Sequence, residues 1–417
     1  MKSPSLPSGE HPSPLASSRS RILWLQVAGL AVVQGAILLA WVIYDAYLPF
    51  LLTRLGFPVV LGATILIVGK LLAVVMEPLM GGLSDQAQRW VGTRFPFISG
   101  GIVLSSALFI LIPTIAIFGS RMSAIRWMLP VVLVAWTLAI TVFRSPAISL
   151  LRQYARPAVL PLAASLLTVS NGLIGACQPF VNKLISGWGP AVTFAIGSFV
   201  LLGAGAVLRF VHPSQPPASS SQSSESSPLP SVNSLLPFLG LIFVTGAGVA
   251  WGSNFLVETL QKVVKNLSAS NVDWVMFAIA IALALAAIPA GAIAVKLGNH
   301  RAMLYGIGAT VGVMLLMALL PNLVTLGVGV MILVAAYSLI VNGAIPYALL
   351  LVPPQRAGLG VGMYFGGSAA AGGVFGMGFA QFDRMTAIAV AVLGAIAFLG
   401  AGLCIVASTK VKVRKPS

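Results

Sequence analysis

Charge is what this sequence has least of. Only 8% of its 417 residues are charged, and eight of those are acidic. A water-soluble domain carries about 25% charged residues, so this chain cannot cover a soluble surface. A soluble enzyme, a nucleic-acid-binding domain and a disordered chain are excluded together. Cysteine and histidine are scarce as well, at two and three residues. Cys177 and Cys404 lie in apolar stretches, have no metal-ligand or disulfide spacing, and read as buried thiols. His11, His212 and His300 all fall outside the apolar stretches. No Ser-His-Asp set, metal centre or cofactor is therefore expected, and the chain does not read as an enzyme.

What the chain has is apolar length. Hydrophobic residues make up 58%, and the mean hydropathy is +1.00. A membrane-crossing helix needs roughly 20 apolar residues. With Gly, Pro and charge clusters as punctuation, twelve such stretches are expected, at about 22–51, 58–83, 96–118, 127–150, 158–184, 190–210, 234–259, 272–296, 302–320, 323–350, 356–379 and 386–408. The fold class is an all-α polytopic membrane protein, with the lipid bilayer as its first partner. The net charge of +16 reads as a topology signal rather than as affinity for nucleic acid. With the N-terminus inside, fifteen of the 24 Lys and Arg fall on cytoplasmic segments and seven on the other side, with Lys70 and Arg144 inside spans. Both termini are expected in the cytoplasm, in a plasma or inner membrane.

The longest polar stretch, His212 to Asn233, carries a serine run and follows the sixth span. The expected organisation is a cytoplasmic tail 1–21, a six-helix bundle 22–210, a Ser/Pro-rich linker 211–233, a second six-helix bundle 234–409 and a basic tail 410–417. The halves echo each other. Pro78-x-x-Gly81…Gly92-Thr93-Arg94 after the second span is matched by Pro289-x-Gly291…Gly298-Asn299-His300-Arg301 after the eighth. Two parallel halves place a solute site near the midplane between them.

The stretch Glu77-Pro78-Leu79-Met80-Gly81-Gly82-Leu83-Ser84-Asp85, followed by Gly92-Thr93-Arg94-Phe95-Pro96-Phe97-Ile98, resembles a loop of the sugar:cation symporter branch of the major facilitator superfamily. That branch holds the glycoside–pentoside–hexuronide and sucrose/proton symporters. Phe143-Arg144-Ser145-Pro146-Ala147 and Pro354-Gln355-Arg356-Ala357-Gly358…Gly362-Met363-Tyr364 are similar to it as well. The resemblance implies the major facilitator fold, a sugar or glycoside substrate, proton symport, and gating roles for Asp85 and Arg94. The chain departs from the branch pattern at Gln86, at Thr93, at Arg152-Gln153, and at Lys70, where cation-coupled relatives carry acidic or amide residues.

Ionisable residues inside a bilayer are functional candidates, because an unpaired one costs several kcal/mol. Lys70 lies near the midplane of span 2, with Glu77 two turns further on the same face. Arg144 in span 4 falls at the depth of Glu77, so a Glu77–Arg144 pair with a gating or coupling role is expected. Asp45, flanked by Tyr44 and Tyr47, is placed toward the outer end of span 1, facing the central cavity with Lys70 as partner. A carboxylate among aromatic rings suits sugar hydroxyls and apolar sugar faces. The remaining candidates for solute contact are neutral: Asn171, Gln178, Trp251, Asn254, Asn342, Tyr347 and Tyr364. Asn342 beside Gly343 and Pro346 suggests a broken or kinked helix. Asp85 at the loop start is expected to pair with a cation or to accept N–H groups from a neighbouring helix end.

The function expected is alternating-access transport of a small polar solute by a monomer. Two alternatives stand beside it. One is a carrier or uniporter for another small organic solute. The other is a non-transporting relative that assists assembly of membrane complexes.

Overall fold

A computed structural model describes residues 22–119, 123–185, 187–213, 232–267 and 272–410. The expected tail 1–21, residues 411–417 of the expected tail 410–417, and 214–231 of the expected linker lie outside the described residues. Among these there are twelve long helices: α1 (Trp24–Arg54), α2 (Val60–Val91), α3 (Phe95–Phe118), α4 (Met128–Ser149), α5 (Leu160–Ile185), α6 (Gly189–Val211), α7 (Val232–Leu267), α8 (Val272–Leu297), α9 (Asn299–Leu319), α10 (Leu323–Leu350), α11 (Ala357–Arg384) and α12 (Ala387–Lys410). Eleven are long and apolar enough to cross a membrane. The exception is α11, whose many glycines lower its hydropathy. Odd-numbered helices run from the face where the described chain begins, the first face, to a second face; even-numbered helices return.

Three boundaries and one expected break differ from expectation for local reasons. α2 continues past 83 to Val91, and Gly92, at φ 76°, ends it. Asp85 therefore lies inside a helix, not at the start of a loop. α7 runs on to Leu267, carrying a Glu258–Lys262 pair one turn apart at 3.1 Å. α9 starts at Asn299 after Gly298 (φ 84°). His300 is thus helical, and its ring meets Tyr347 edge-on at 5.7 Å. The break expected near Asn342 is absent: α10 is one helix through Asn342, Gly343 and Pro346. Pro346 removes a single ladder bond in the last turns, and the helix tolerates it.

Two apolar clusters form the interior. One gathers buried residues of α1–α6 and is joined by Leu349, Ala357 and Val361. The other gathers residues of α7–α12. Helix position sets burial: the core windows of α1 and α4 are 61% and 67% buried, that of α2 only 22%. α1 and α4 are thus inner helices of the first cluster, and α2 lies at its edge.

The clusters meet along two crossings, α2 against α11 and α5 against α8. The two glycines matched in sequence occupy these two places. A Cβ on Gly81 would overlap the carbonyl of Gly358, and one on Gly291 would come within 3.1 Å of Leu162 and Ser165. Small residues are what let the backbones approach so closely.

Cys177 and Cys404 are both free. Cys177 is exposed rather than buried, because apolar sequence does not separate a core face from a lipid- or cleft-facing one.

Candidate functional site

The first face is closed by a polar clamp. Asp85, 2% exposed, sits two turns from the end of α2. Its Oδ1 accepts the backbone N–H of Gly358 at 2.9 Å, and its Oδ2 accepts that of Leu359 at 2.8 Å. These are unsatisfied donors of the first turn of α11, so the carboxylate caps a helix of the other cluster. The Arg94 guanidinium, equally buried, reaches the same Oδ1 at 2.5 Å. Both contacts anticipated for Asp85 thus occur together.

Two turns deeper lies a second cluster. Glu77 is 1% exposed, and its Oε1 is 3.6 Å from Arg144 Nε. Ser145 Oγ donates to Glu77 Oε2. Pro146 and Ser145 follow Arg144 on α4, so neighbouring residues of one helix supply both the cation and the hydroxyl. The guanidinium of Arg144 lies 3.7 Å from the centroid of the Phe365 ring on α11. This cluster therefore ties α2 and α4 of the first half to α11 of the second.

Nearer the second face the charges are open. Asp45 and Lys70 both have exposed side chains. Asp45 stands on the inner helix α1, and Lys70 stands on α2 where that helix crosses α11. No ion-pair contact within 4.0 Å joins the two. Lys70 Nζ instead donates to the Gly372 carbonyl on α11 at 3.4 Å.

The neutral candidates separate into groups. Asn171 accepts from Gln34 Nε2 of α1 at 3.1 Å. Gln178 is exposed near the second-face half of α5. Trp251 and Asn254 are half-buried on α7, and the intervening Ser253 accepts from Tyr337 of α10 at 2.8 Å. Asn342 is fully buried and donates to the Ala287 carbonyl at 2.6 Å, which fastens α10 to α8. Tyr347 is fully buried, with its hydroxyl 3.4 Å from Thr245, and Tyr364 is 8% exposed. In this conformation Asn342, Tyr347 and Tyr364 are packing residues, whereas Asp45 and Lys70 are exposed. Burial overrides the polarity that recommended them.

The sequence reading missed Gln34, Ser145, Phe365 and Gly372 as partners. Ser145 carried a signal, its adjacency to Arg144. Phe365 and Gly372 carried none, because their roles arise only where α11 crosses the first half. Two apolar cavities lie elsewhere. One, of about 480 Å³, is between α9 and α10 and includes Tyr305 and Met331; the other, of about 180 Å³, is lined by Trp251, Phe255 and Phe382.

A multi-pass helical protein with two clusters, a capped first face and exposed charges within its helices has the architecture of a membrane carrier. A sequence profile of the Major Facilitator Superfamily matches residues 90–377, more than half the chain, and the protein belongs to that superfamily. No curated protein matches the sequence. Solved structures share the fold at low identity. The human organic anion transporter MFSD10 (TETRAN) has a TM-score of 0.64 and 16% identity, over 92% of this chain and 99% of that one. FucP, a superfamily transporter in the outward conformation, has a TM-score of 0.70 and 12% identity, over 92% and 98%. A bacterial homologue of the iron transporter ferroportin in the outward-facing state has a TM-score of 0.63 and 13% identity, over 93% and 100%. Their names agree on transport and on no single solute.

Proposed function

We propose that the chain is a secondary transporter that moves a small polar solute by alternating access, with residues 22–210 and 234–409 as its two rocking halves and all twelve helices crossing the bilayer. The observation that carries this reading is the contrast between the two ends of α2. At the first face Asp85, Arg94 and the start of α11 are bonded shut, while nearer the second face Asp45 and Lys70 are exposed. A carrier caught with one gate closed has this pattern. The excess of Lys and Arg on the first face supports a cytoplasmic position for it, with both chain ends inside. A tag on either terminus of the protein in right-side-out plasma- or inner-membrane vesicles should be protected from protease.

The resemblance of the α2–α3 segment makes a sugar or glycoside the solute class to test first. Glu77, buried between Ser145 and Arg144, is the candidate proton carrier for a symport cycle. A second reading, transport without a coupling cation, is favoured by Lys70, a cation within α2 where cation-coupled relatives carry acidic or amide residues. Uptake of a radiolabelled sugar panel into proteoliposomes, with and without a pH gradient, tests these readings. Accumulation that needs the gradient supports symport, and equilibration without it supports the uniporter. No uptake of any sugar defeats the sugar reading and leaves the fold intact.

A further inference from the structure

The larger apolar hollow lies on the outer side of the second half, between α9 and α10. The two helices touch where Gly306 meets Ala336: a Cβ on Gly306 would stand 2.6 Å from the Ala336 carbonyl. Beside this contact Ala309 and Ala335 are exposed, and each presents only a methyl group. Further along the same helices the exposed positions carry bulk, as at Leu316 and Val328. The local shortage of side-chain volume leaves a groove of about 480 Å³, walled by Tyr305 on α9 and by Met331 and Ile332 on α10. An empty groove of this kind forfeits the dispersion contacts of its lining, so a bound chain of methylenes is favoured there.

The charge at the groove's head identifies its occupant. α9 starts at the first face, and Arg301 precedes Tyr305 by one turn, about 6 Å along the axis. Both belong to the exposed stripe of α9 that continues through Gly308, Ala309 and Gly312. Lys296, on the other side of the Gly298 turn, is exposed as well. Neither cation has an ion-pair or hydrogen-bond partner among the described residues. Their own half of the molecule cannot supply an anion at this face. Its acidic residues are Glu258, Asp273 and Asp383, which all lie toward the second-face ends of their helices. Asp85 and Glu77 of the first half already face Arg94 and Arg144. The counter-charge therefore comes from outside the protein, and a guanidinium at a membrane face suits the phosphate of a lipid headgroup.

We propose that the α9–α10 groove is a binding site for an anionic glycerophospholipid, its phosphate at Arg301 and Lys296 and one acyl chain lying past Tyr305 toward Met331. Such a lipid answers the charge and fills the hollow together. A neutral or zwitterionic lipid leaves net positive charge at the face, and free phosphate leaves the groove empty. A second copy of the chain would bring the same cation-rich face and no anion to meet it. The Tyr305 hydroxyl has no hydrogen-bond partner among the described residues. It lies one turn below Arg301, at the level of the ester carbonyls, and donates to one of them. The inference goes beyond the transport reading and is independent of which solute is carried.

The test is native mass spectrometry of the full chain released from detergent micelles. The probes, at equal concentration, are dioleoyl phosphatidylglycerol, dioleoyl phosphatidylcholine with the same chains, and glycerol phosphate with none. The parent should retain phosphatidylglycerol about fivefold or more over phosphatidylcholine and should not retain glycerol phosphate. The double variant Lys296→Gln/Arg301→Gln should bring the two lipids level. Ala335→Phe fills the groove and leaves the cations in place, and it should cut phosphatidylglycerol retention about fivefold. All three positions are exposed, so both variants should melt within a few degrees of the parent. Equal retention of the two lipids by the parent would overturn the proposal without recourse to any variant. Retention of glycerol phosphate as strong as that of phosphatidylglycerol would reduce the site to a phosphate site and overturn it too. So would phosphatidylglycerol binding that either variant leaves untouched, or a lipid-free dimer captured by a disulfide between Met331→Cys chains.

Discussion

The carboxylate of Asp85 receives the backbone N–H of Gly358 at 2.9 Å, across 273 positions of chain. One side chain thereby couples the end of α2 to the start of α11. An anion at a helix N-terminus is worth about 0.3–2 kcal/mol, and here the buried Arg94 shares the same oxygen. The clamp is strong while complete and costly when half-dismantled.

Asp85→Asn should therefore destabilise the closed first face by about 3–5 kcal/mol, the usual cost of stranding one partner of a buried ion pair. A cysteine placed at Leu359 should label faster from the first face in this variant. The double variant Asp85→Asn/Arg94→Gln should lose less than the sum of the two singles. Strict additivity would mean that the guanidinium does not depend on Asp85.

Gly81→Ala should disturb the same closure by sterics alone. The new methyl has no room against the Gly358 carbonyl, and that neighbour is backbone. Overpacking of this kind costs about 1–3 kcal/mol. Gly100→Ala is the control: nothing lies within 4 Å of its Cβ, and the helix gains up to about 1 kcal/mol from the substitution. Melting temperatures of the two variants should move in opposite directions.

Glu77→Gln keeps an acceptor for Ser145 Oγ but removes the charge facing Arg144. Gradient-driven accumulation of a transported solute should be lost, while exchange of labelled for unlabelled solute persists. Unchanged accumulation at every pH would take Glu77 out of the coupling step. Phe365→Leu should weaken the same cluster by a smaller amount, about 0.5–2 kcal/mol, because only the ring face under the guanidinium is removed.

His212, just past the end of α6, gives a pH dependence that can be read outside the membrane. Burial first, and the Arg209 charge second, hold its imidazole below the ordinary value of 6.5. Its Nδ1 is 2.8 Å from the Tyr154 hydroxyl, and its ring packs on Phe95 at 4.5 Å. The folded state thus prefers the neutral ring. Stability should be full above pH 6.5 and fall as the pH drops below it, until the folded imidazole also takes up its proton. A melting series from pH 8 to pH 5 should show this loss, and His212→Gln should flatten it.

Sequence alone determined the class of protein, because 8% charge and a dozen apolar stretches leave lipid as the solvent. It also determined the Glu77–Arg144 approach, since equal depth on neighbouring spans and the cost of an unpaired charge leave few alternatives. Tertiary structure decided which polar residues face open space. Asn342 and Tyr347 look like ligand residues in sequence and are buried between helices, whereas Asp45 and Lys70 are exposed and Lys70 donates to a carbonyl of α11. Periodicity along one helix states which residues share a face. What that face meets is set by a crossing helix some 300 residues distant, as Lys70 and Gly372 illustrate, and no local pattern encodes it.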